Sequence, residues 1–232
     1  MTGPASDLTG EHDPMKLYDL ELSGNCYKVR LFLSILGIPW EKIPVNSKTR
    51  ENKRPEFLAL NPRGQIPVLD DDGFVVWDSS SILVYLARKH GGEPWYPAAA
   101  RDAAEVARWV AISQQAEITA TGLSRARAIS LFGTAGDLAG FQERGRHFLK
   151  FLDGYMQSRT WLALERPTIG DIACYPYIAM APQGGVSLDE FTALNAWFAR
   201  IRSLAGYVEL PQPTSENLAV ASGPTGPGLS KK

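Results

Sequence analysis

The segment 23–26, with the sequence SGNC, places a hydroxyl, an amide and a thiol where an apolar strand pattern gives way to a helical one. Backbone N–H groups at a helix N-terminus attract an anion, and a serine hydroxyl there can donate a hydrogen bond to it. The sequence therefore predicts an anion site at Ser23. A plain N-cap is the alternative, because serine and asparagine are preferred capping residues.

The segment 61–67, with the sequence NPRGQIP, leads into a predicted strand. A cis bond between Ile66 and Pro67 would expose the N–H and C=O of Ile66, which could then pair with a peptide ligand in strand fashion. A trans proline at the start of a strand is the alternative, and it is far commoner.

Two further motifs open predicted helices. In the segment 78–81, with the sequence DSSS, the acid could hold an ammonium and a hydroxyl could hold a carboxylate, although capping explains the same residues. The segment 168–171, with the sequence TIGD, fits a capping box, and we interpret it as structural.

The composition excludes several classes of protein. A net charge of −1 over 232 residues gives no sign of a nucleic-acid or anionic-membrane partner. No apolar run approaches the roughly 20 residues of a membrane helix. The two cysteines form no CxxC pair and the three histidines are scattered, so we expect no metal site and no dithiol centre. We expect a reducing, cytoplasmic setting.

Residues 15–92 predict the element order β-α-β-α-β-β-α. Strand patterns lie at 17–20, 38–45, 65–69 and 74–77, and Asp72-Gly73 is a hairpin signal. The first helix runs from about Cys26 to Gly37, with apolar residues at helical spacing on one face. The last helix of this part begins after Asp78 and ends at Gly91-Gly92.

The remaining chain divides into helical and irregular parts. Residues 101–207 contain only helical patterns, and a linker with prolines at 93–100 joins them to the first part. We expect a disordered leader over 1–14 and a flexible tail over 208–232, because both are polar or rich in Pro, Gly and Ser.

From Lys16 to about Tyr207 the chain resembles the glutathione transferase family. The resemblance is carried by LSGNCYKV, KRPEFLALNPRGQIPVL, WDSSSILVYLA and WLALERPTIGDIACYP, in this order and spacing. It is strongest with the serine-type branches, such as the phi, theta and related bacterial classes. It implies a thioredoxin-like glutathione-binding domain at 15–92, an all-helical domain at 101–207 and a homodimer. It also implies a role in detoxification, in which the glutathione thiolate attacks a small electrophile.

The resemblance implies a role for residues around the sulfur. Ser23 matches the catalytic serine, whose hydroxyl donates to the glutathione sulfur, and Asn25 matches an asparagine beside that sulfur. Cys26 would be the nucleophile in a glutaredoxin-like or omega-like protein. We interpret it as a buried structural cysteine, because it lies inside the predicted helix start.

Other residues match positions that bind the rest of glutathione. Lys53 matches a lysine that meets the glycine carboxylate, although the histidine that often precedes it is an asparagine here. Gln65 matches a glutamine near the peptide backbone. Ile66 precedes the cis-proline of the family, Pro67, and pairs with the cysteinyl main chain. Asp78 and Ser79 match the acid–serine pair that holds the γ-glutamyl group, where the family usually has glutamate in place of Asp78.

The second substrate stays open at this level. A predicted helix from Arg101 to about Ile129 carries Glu117, Arg125 and Arg127, which could meet a polar acceptor or form an ion-pair network. We favour the network. Two other functions remain possible: a glutathione-dependent disulfide or peroxide reductase, and a glutathione-binding regulatory protein with little turnover.

Overall fold

The computed structural model of the chain describes residues 14–221. The predicted leader lies outside this range apart from Pro14, and so does the end of the predicted tail, from residue 222 onward. Within the described range, no helix has the length and apolar character needed to cross a bilayer.

The first part of the structure has the predicted element order, and it forms a thioredoxin-like unit. Its elements are β1 (Met15–Asp19), α1 (Gly24–Ile35), β2 (Trp40–Pro44), α2 (Pro55–Leu60), β3 (Val68–Asp71), β4 (Phe74–Trp77) and α3 (Ser79–Leu86). The strands form one sheet in the order β2-β1-β3-β4. β1 and β2 are parallel, whereas β3 is antiparallel to both of its neighbours.

Local sequence explains these elements. Met15, Leu17 and Asp19 alternate as buried residues along β1, which is the period of a strand. The turn between β3 and β4 uses Asp72 and Gly73, both with positive φ, as an Asp-Gly hairpin requires. After α3 the chain continues as a π-helical turn over Ala87–Gly91, so this helix ends where the sequence predicts.

The second part is all helical in the described range, as predicted. Its elements are α4 (Ala100–Ile112), α5 (Leu123–Phe132), α6 (Leu138–Met156), α7 (Ile169–Ala179) and α8 (Thr192–Arg202). The single helix predicted from Arg101 to about Ile129 is wrong, because the chain breaks into α4 and α5. Gly122 lies at the break, where a Cβ would be 1.5 Å from the carbonyl oxygen of Glu117. Only a glycine permits this approach.

Part of the predicted flexible tail, 208–232, packs against the first unit over the residues that the structure describes. A further helix, α9 (Ser215–Val220), follows an extended stretch that returns to the first unit. The Tyr27 hydroxyl donates to the carbonyl of Val208 at 2.6 Å, and the Lys48 N–H donates to the carbonyl of Val220 at 3.3 Å. Pro211 and Ala221 are buried. These contacts come from distant residues, which local composition does not reveal.

The predicted capping box at the start of α7 is confirmed, and Asp171 is its centre. Thr168 and Asp171 cap each other's backbone. The fully buried carboxylate of Asp171 also accepts from the backbone N–H of Leu162 and the indole N–H of Trp197, each at 3.0 Å. One side chain thus joins α7 to a preceding loop and to α8.

We predict that Asp171→Ala lowers the free energy of unfolding by about 3–5 kcal/mol, because several buried donors lose their acceptor together. Urea unfolding followed by circular dichroism measures this loss. Asp137→Ala is the matched control, since Asp137 caps α6 from an exposed position and should cost about 1 kcal/mol. Equal losses for the two variants would contradict the central role of Asp171.

Candidate functional site

A cleft of about 320 Å³ lies between the thioredoxin-like unit and the helical unit. Its walls come from the β1–α1 loop, the segment before β3, the start of α3, and parts of α5 and α7. The predicted site residues that line it are Ser23, Asn25, Gln65, Ile66, Pro67, Asp78, Ser79 and Arg127.

Ser23 both caps α1 and faces the cleft. Its Oγ accepts a hydrogen bond from the backbone N–H of Cys26 at 3.3 Å, so the capping interpretation is correct. Because the oxygen accepts in this bond, the hydroxyl proton stays available for donation to a ligand. The two interpretations of the motif are therefore compatible.

Asn25 lies one residue inside α1 and also lines the cleft. Its Oδ1 atom is buried and accepts no hydrogen bond from the described residues. A buried polar atom without a partner is uncommon in folded proteins, and at a cleft it suggests a contact that a ligand completes.

Tyr177 on α7 completes this end of the cleft, and sequence reasoning missed it. Its ring covers Gly24, where an added Cβ would lie 2.7 Å from a ring carbon. Burial raises the pKa of the Tyr177 hydroxyl, and the nearby Arg127 guanidinium and Ser124 hydroxyl partly oppose that rise. A glycine at a helix start could signal a close approach, but it does not say which residue approaches.

The segment before β3 offers free backbone groups. The Ile66–Pro67 bond is cis, and the N–H and C=O of Ile66 have no hydrogen-bond partner in the described part of the chain. The Asn61 side chain donates to the carbonyl of Gln65 at 2.8 Å, and the Asn52 side chain donates to the carbonyl of Gly64 at 2.8 Å. These two side chains therefore fix the segment, while the backbone groups of Ile66 stay available to a ligand.

Lys53 supports that segment and is not among the residues that line the cleft. Its ammonium donates to the carbonyls of Arg63 and Gly64, each at 2.9 Å. Asn52, at the position where the family often has histidine, is buried and does line the cleft.

Asp78 and Ser79 lie at the N-terminus of α3 and line the cleft. Asp78 has φ 73°, an uncommon conformation for a residue with a side chain. Its Oδ1 accepts from the backbone N–H groups of Ser80 at 3.0 Å and Ser81 at 3.2 Å, whereas Oδ2 accepts none from the described residues. Asp78 is exposed and Ser79 is buried. Asp78 thus caps the helix and keeps one oxygen for a ligand.

Both cysteines lie in the core. Cys26 is fully buried, and its sulfur accepts from the Leu20 N–H at 3.4 Å. Burial, and to a lesser degree the negative charge of Asp19, raises the pKa of its thiol. Cys174 is also fully buried, with a pKa raised by burial, and its thiol donates to the carbonyl of Trp109 at 3.3 Å. The structural interpretation of both residues agrees with this placement.

The three charged residues predicted for the acceptor pocket do not lie together. Glu117 borders a separate surface depression with residues of α6, and Arg125 donates to the carbonyl of Ala135 at 2.8 Å. Only Arg127 reaches the cleft, and among the described residues none of the three forms an ion pair. The favoured ion-pair network is therefore wrong, because Glu117 lies in the segment between α4 and α5 and does not share one helix with the two arginines.

Lys28 is a second feature that sequence reasoning missed. It lies on α1, is fully buried, and its ammonium has no hydrogen-bond partner among the described residues. Burial lowers the pKa of Lys28 to about 8, although the nearby Cys174, Asp78 and Cys26 oppose this shift. A lysine beside apolar helix positions is easily taken for a surface residue, so its pattern gives no warning.

Comparison with known proteins identifies relatives over most of the chain. A family model described as "Glutathione S-transferase, N-terminal domain" matches residues 22–89, and the corresponding C-terminal domain model matches residues 141–205. Glutathione S-transferase 3 of Zea mays is 31% identical, over 88% of this chain and 99% of its own length. Glutathione S-transferase 1 of Manduca sexta is also 31% identical, over 87% of this chain and 94% of its own.

Solved structures agree with these relatives. The crystal structure of a glutathione S-transferase from Pseudomonas fluorescens has a TM-score of 0.77 and 30% identity, over 84% of this chain and 98% of that one. A possible glutathione S-transferase from Rhodopseudomonas palustris has a TM-score of 0.75 and 31% identity, over 91% of this chain and 94% of that one.

We predict that neither Cys26 nor Cys174 reacts with Ellman's reagent in the native protein at pH 8, because both thiols are buried and protonated. After unfolding in guanidinium, both thiols of the chain should react. Cys26→Ser serves as the control that assigns the signal. Rapid native labelling that disappears in Cys26→Ser would show an accessible Cys26 and contradict this geometry.

Proposed function

The chain belongs to the glutathione transferase family, and on this basis we propose that Ser23 activates the thiol of bound glutathione for attack on a small electrophile. The observation that carries the proposal is the position of Ser23, whose hydroxyl stands at the N-terminus of α1 and faces the cleft. Glutathione is the substrate that the family shares. The identity of the electrophile and the attack of the glutathione sulfur on it need testing.

The energy needed for activation is modest. A free thiol has a pKa of about 8.5, so only about 3% is thiolate at pH 7. Lowering that pKa by about 2 units requires about 2.7 kcal/mol of preferential thiolate stabilisation. One charge-assisted hydrogen bond contributes about 1.5–3 kcal/mol, and a helix N-terminus adds to it. Ser23 and α1 together therefore suffice, and no general base is needed.

The remaining cleft residues fit the rest of the tripeptide. The open backbone groups of Ile66, next to Pro67, suit strand-like pairing with the cysteinyl main chain. Gln65 lines the same edge. The free Oδ2 of Asp78 suits the γ-glutamyl ammonium, and the Ser79 hydroxyl at the N-terminus of α3 suits its carboxylate.

The position of Lys53 suggests a supporting role at the glycine end. Its ammonium already donates to two carbonyls, which leaves one proton for the glycine carboxylate. The main role of Lys53 is therefore to fix the loop, and its positive charge also attracts the glycine carboxylate. Asn25, with an unpartnered buried oxygen, is proposed to lie beside the sulfur and to orient the cysteinyl group.

The buried cysteines favour a transferase over a reductase that uses its own thiol. Cys26 is fully buried, and its raised pKa leaves it protonated and poorly nucleophilic at neutral pH. A reductase that attacks hydroperoxides or disulfides with the glutathione thiolate alone would use the same cleft. Assays with aryl halides, hydroperoxides and small disulfides separate these activities.

We predict that Ser23→Ala raises the midpoint of the pH–rate profile by about 1–2 pH units, because one hydrogen bond to the thiolate is lost. At pH 7 the rate with an aryl halide should fall about 3–25-fold, and part of it should return at higher pH. The affinity for glutathione, measured by calorimetry, should change little.

Cys26→Ala is the contrasting variant for this test. It should lose packing stability while keeping most of its turnover, because Cys26 contacts the core and not the cleft. An unchanged profile for Ser23→Ala together with an inactive Cys26→Ala would assign the chemistry to the cysteine and overturn the proposal.

We also propose that the chain forms a homodimer through the β4 edge of the sheet. Phe74 and Trp77 on this edge strand are exposed, at 58% and 39% of their full accessibility. Exposed aromatic side chains on a sheet edge suit burial against another chain. Asp78 follows Trp77 directly, so this edge leads into the cleft.

We predict that Phe74→Glu shifts the protein from dimer to monomer, because a charge would then be buried at the interface. Sedimentation velocity at micromolar concentration measures the change against the chain mass of 25.4 kDa. Phe151→Glu is the matched control, because Phe151 is a similarly exposed phenylalanine, at 54%, on α6. A monomeric wild type, or equal dissociation of both variants, would refute this interface.

A further inference from the structure

Arg127 is a buried cation in the wall of the cleft. The residue is 4% exposed, yet no carboxylate of the described chain lies within ion-pair distance of its guanidinium. Burying a charge without a counter-charge is costly, so such a group is uncommon without a function. Arg125, two residues earlier on the same helix, is partly exposed and reaches away from the cleft to the carbonyl of Ala135.

The contacts of Arg127 lead to the loop that carries Ser23. Its Nη1 donates to the carbonyl of Leu22 at 2.9 Å, and its Nε donates to Oε1 of Gln183 at 2.6 Å. Nη2 is buried and has no partner among the described residues. Because Leu22 directly precedes Ser23, the guanidinium fixes the peptide unit that joins them.

The surroundings of Arg127 leave its charge uncompensated. On α7 the titratable group beside it is the hydroxyl of Tyr177, whose pKa burial raises, and in the described part of the chain no ion pair joins Arg127 to α6. The 3-10 turn Ala181–Gly184 presents the amide of Gln183, and the β1–α1 loop presents a carbonyl. Asp78, the acidic residue among those that line the cleft, forms no ion pair with Arg127.

We propose that Arg127 is a positioning residue of the thiolate site: it orients Ser23 through Leu22 and lends its positive charge to the glutathione sulfur. This inference rests on the proposed function and deepens it. It also replaces the acceptor contact expected for Arg127, because Nη2 is enclosed by protein and Nη1 is already bonded. The guanidinium touches no reacting atom in this account, and the thiol proton leaves to solvent.

The test measures the thiolate absorbance of bound glutathione against pH for the full-length protein. Arg127→Gln removes the charge and should raise the midpoint by about one pH unit, which leaves about tenfold less thiolate below the midpoint. Arg127→Lys keeps a charge and should stay closer to the wild type. Arg125→Gln is the matched control on the same helix, and its midpoint should not move.

The outcomes separate this inference from the proposed function. A wild-type protein that binds no glutathione, or leaves its thiol pKa at the free value, would overturn the proposed function. A wild type with a low midpoint, together with an equally low midpoint in Arg127→Gln, would overturn the inference alone. If Arg127→Gln and Arg127→Lys raise the midpoint equally, the charge of Arg127 does not act on the sulfur. Only the part of the proposal in which Arg127 orients Ser23 would then remain.

A further variant covers the case in which neither Arg127 variant folds. Gln183→Leu removes one tether of the guanidinium and leaves its charge, so the midpoint should rise by less than in a variant without the charge. The affinity for glutathione should change less than about threefold, since the site itself is intact. An unchanged midpoint in Gln183→Leu, measured on folded protein, would overturn the role of Arg127.

Discussion

The buried carboxylate of Asp171 fixes the start of α7, and the shape of the cleft depends on that helix. Asp171 gathers the N–H of Thr168, the N–H of Leu162 and the indole of Trp197. Because its start is fixed, α7 packs against α1 of the thioredoxin-like unit, and the Tyr177 ring covers Gly24 at the beginning of α1. The helical unit thus sets the position of the α1 N-terminus, where the sulfur of glutathione is proposed to bind. The contact between α7 and α1 therefore serves both the fold and the proposed site, although Asp171 itself does not line the cleft.

The cleft separates its charges in a way that suits a peptide carrying both signs. One end has the N-terminus of α1, the Ser23 hydroxyl and the enclosed Arg127, and all three favour a negative charge. Asp78 keeps a free oxygen beside the N-terminus of α3, so that an ammonium and a carboxylate can bind side by side. The Ile66 backbone, which also lines the cleft, offers one donor and one acceptor. A bound thiolate would supply the counter-charge that Arg127 lacks.

Sequence reasoning works best here where the determinants are local. The Asp72-Gly73 turn and the capping box at Thr168 depend on neighbours in the chain, and the structure agrees with both of them. It fails where a distant residue decides. Gly122 begins α5 against the close carbonyl of Glu117, the stretch after residue 208 is held by Tyr27, and Arg127 acquires its role from Leu22, which is 105 residues away. The ligand-facing residues near Ser23 could be predicted from the resemblance to relatives, since their local patterns also fit simple capping.

A crystal structure of the protein with glutathione is the most direct test of this account. We expect the sulfur within about 3.5 Å of the Ser23 Oγ, with the cysteinyl main chain paired to Ile66 and the γ-glutamyl ammonium on Asp78. Arg127 should keep its bond to Leu22 without touching the ligand. A glutathione bound elsewhere, or one joined to Cys26 through a disulfide, would contradict the claim that Ser23 and the α1 N-terminus form the thiolate site.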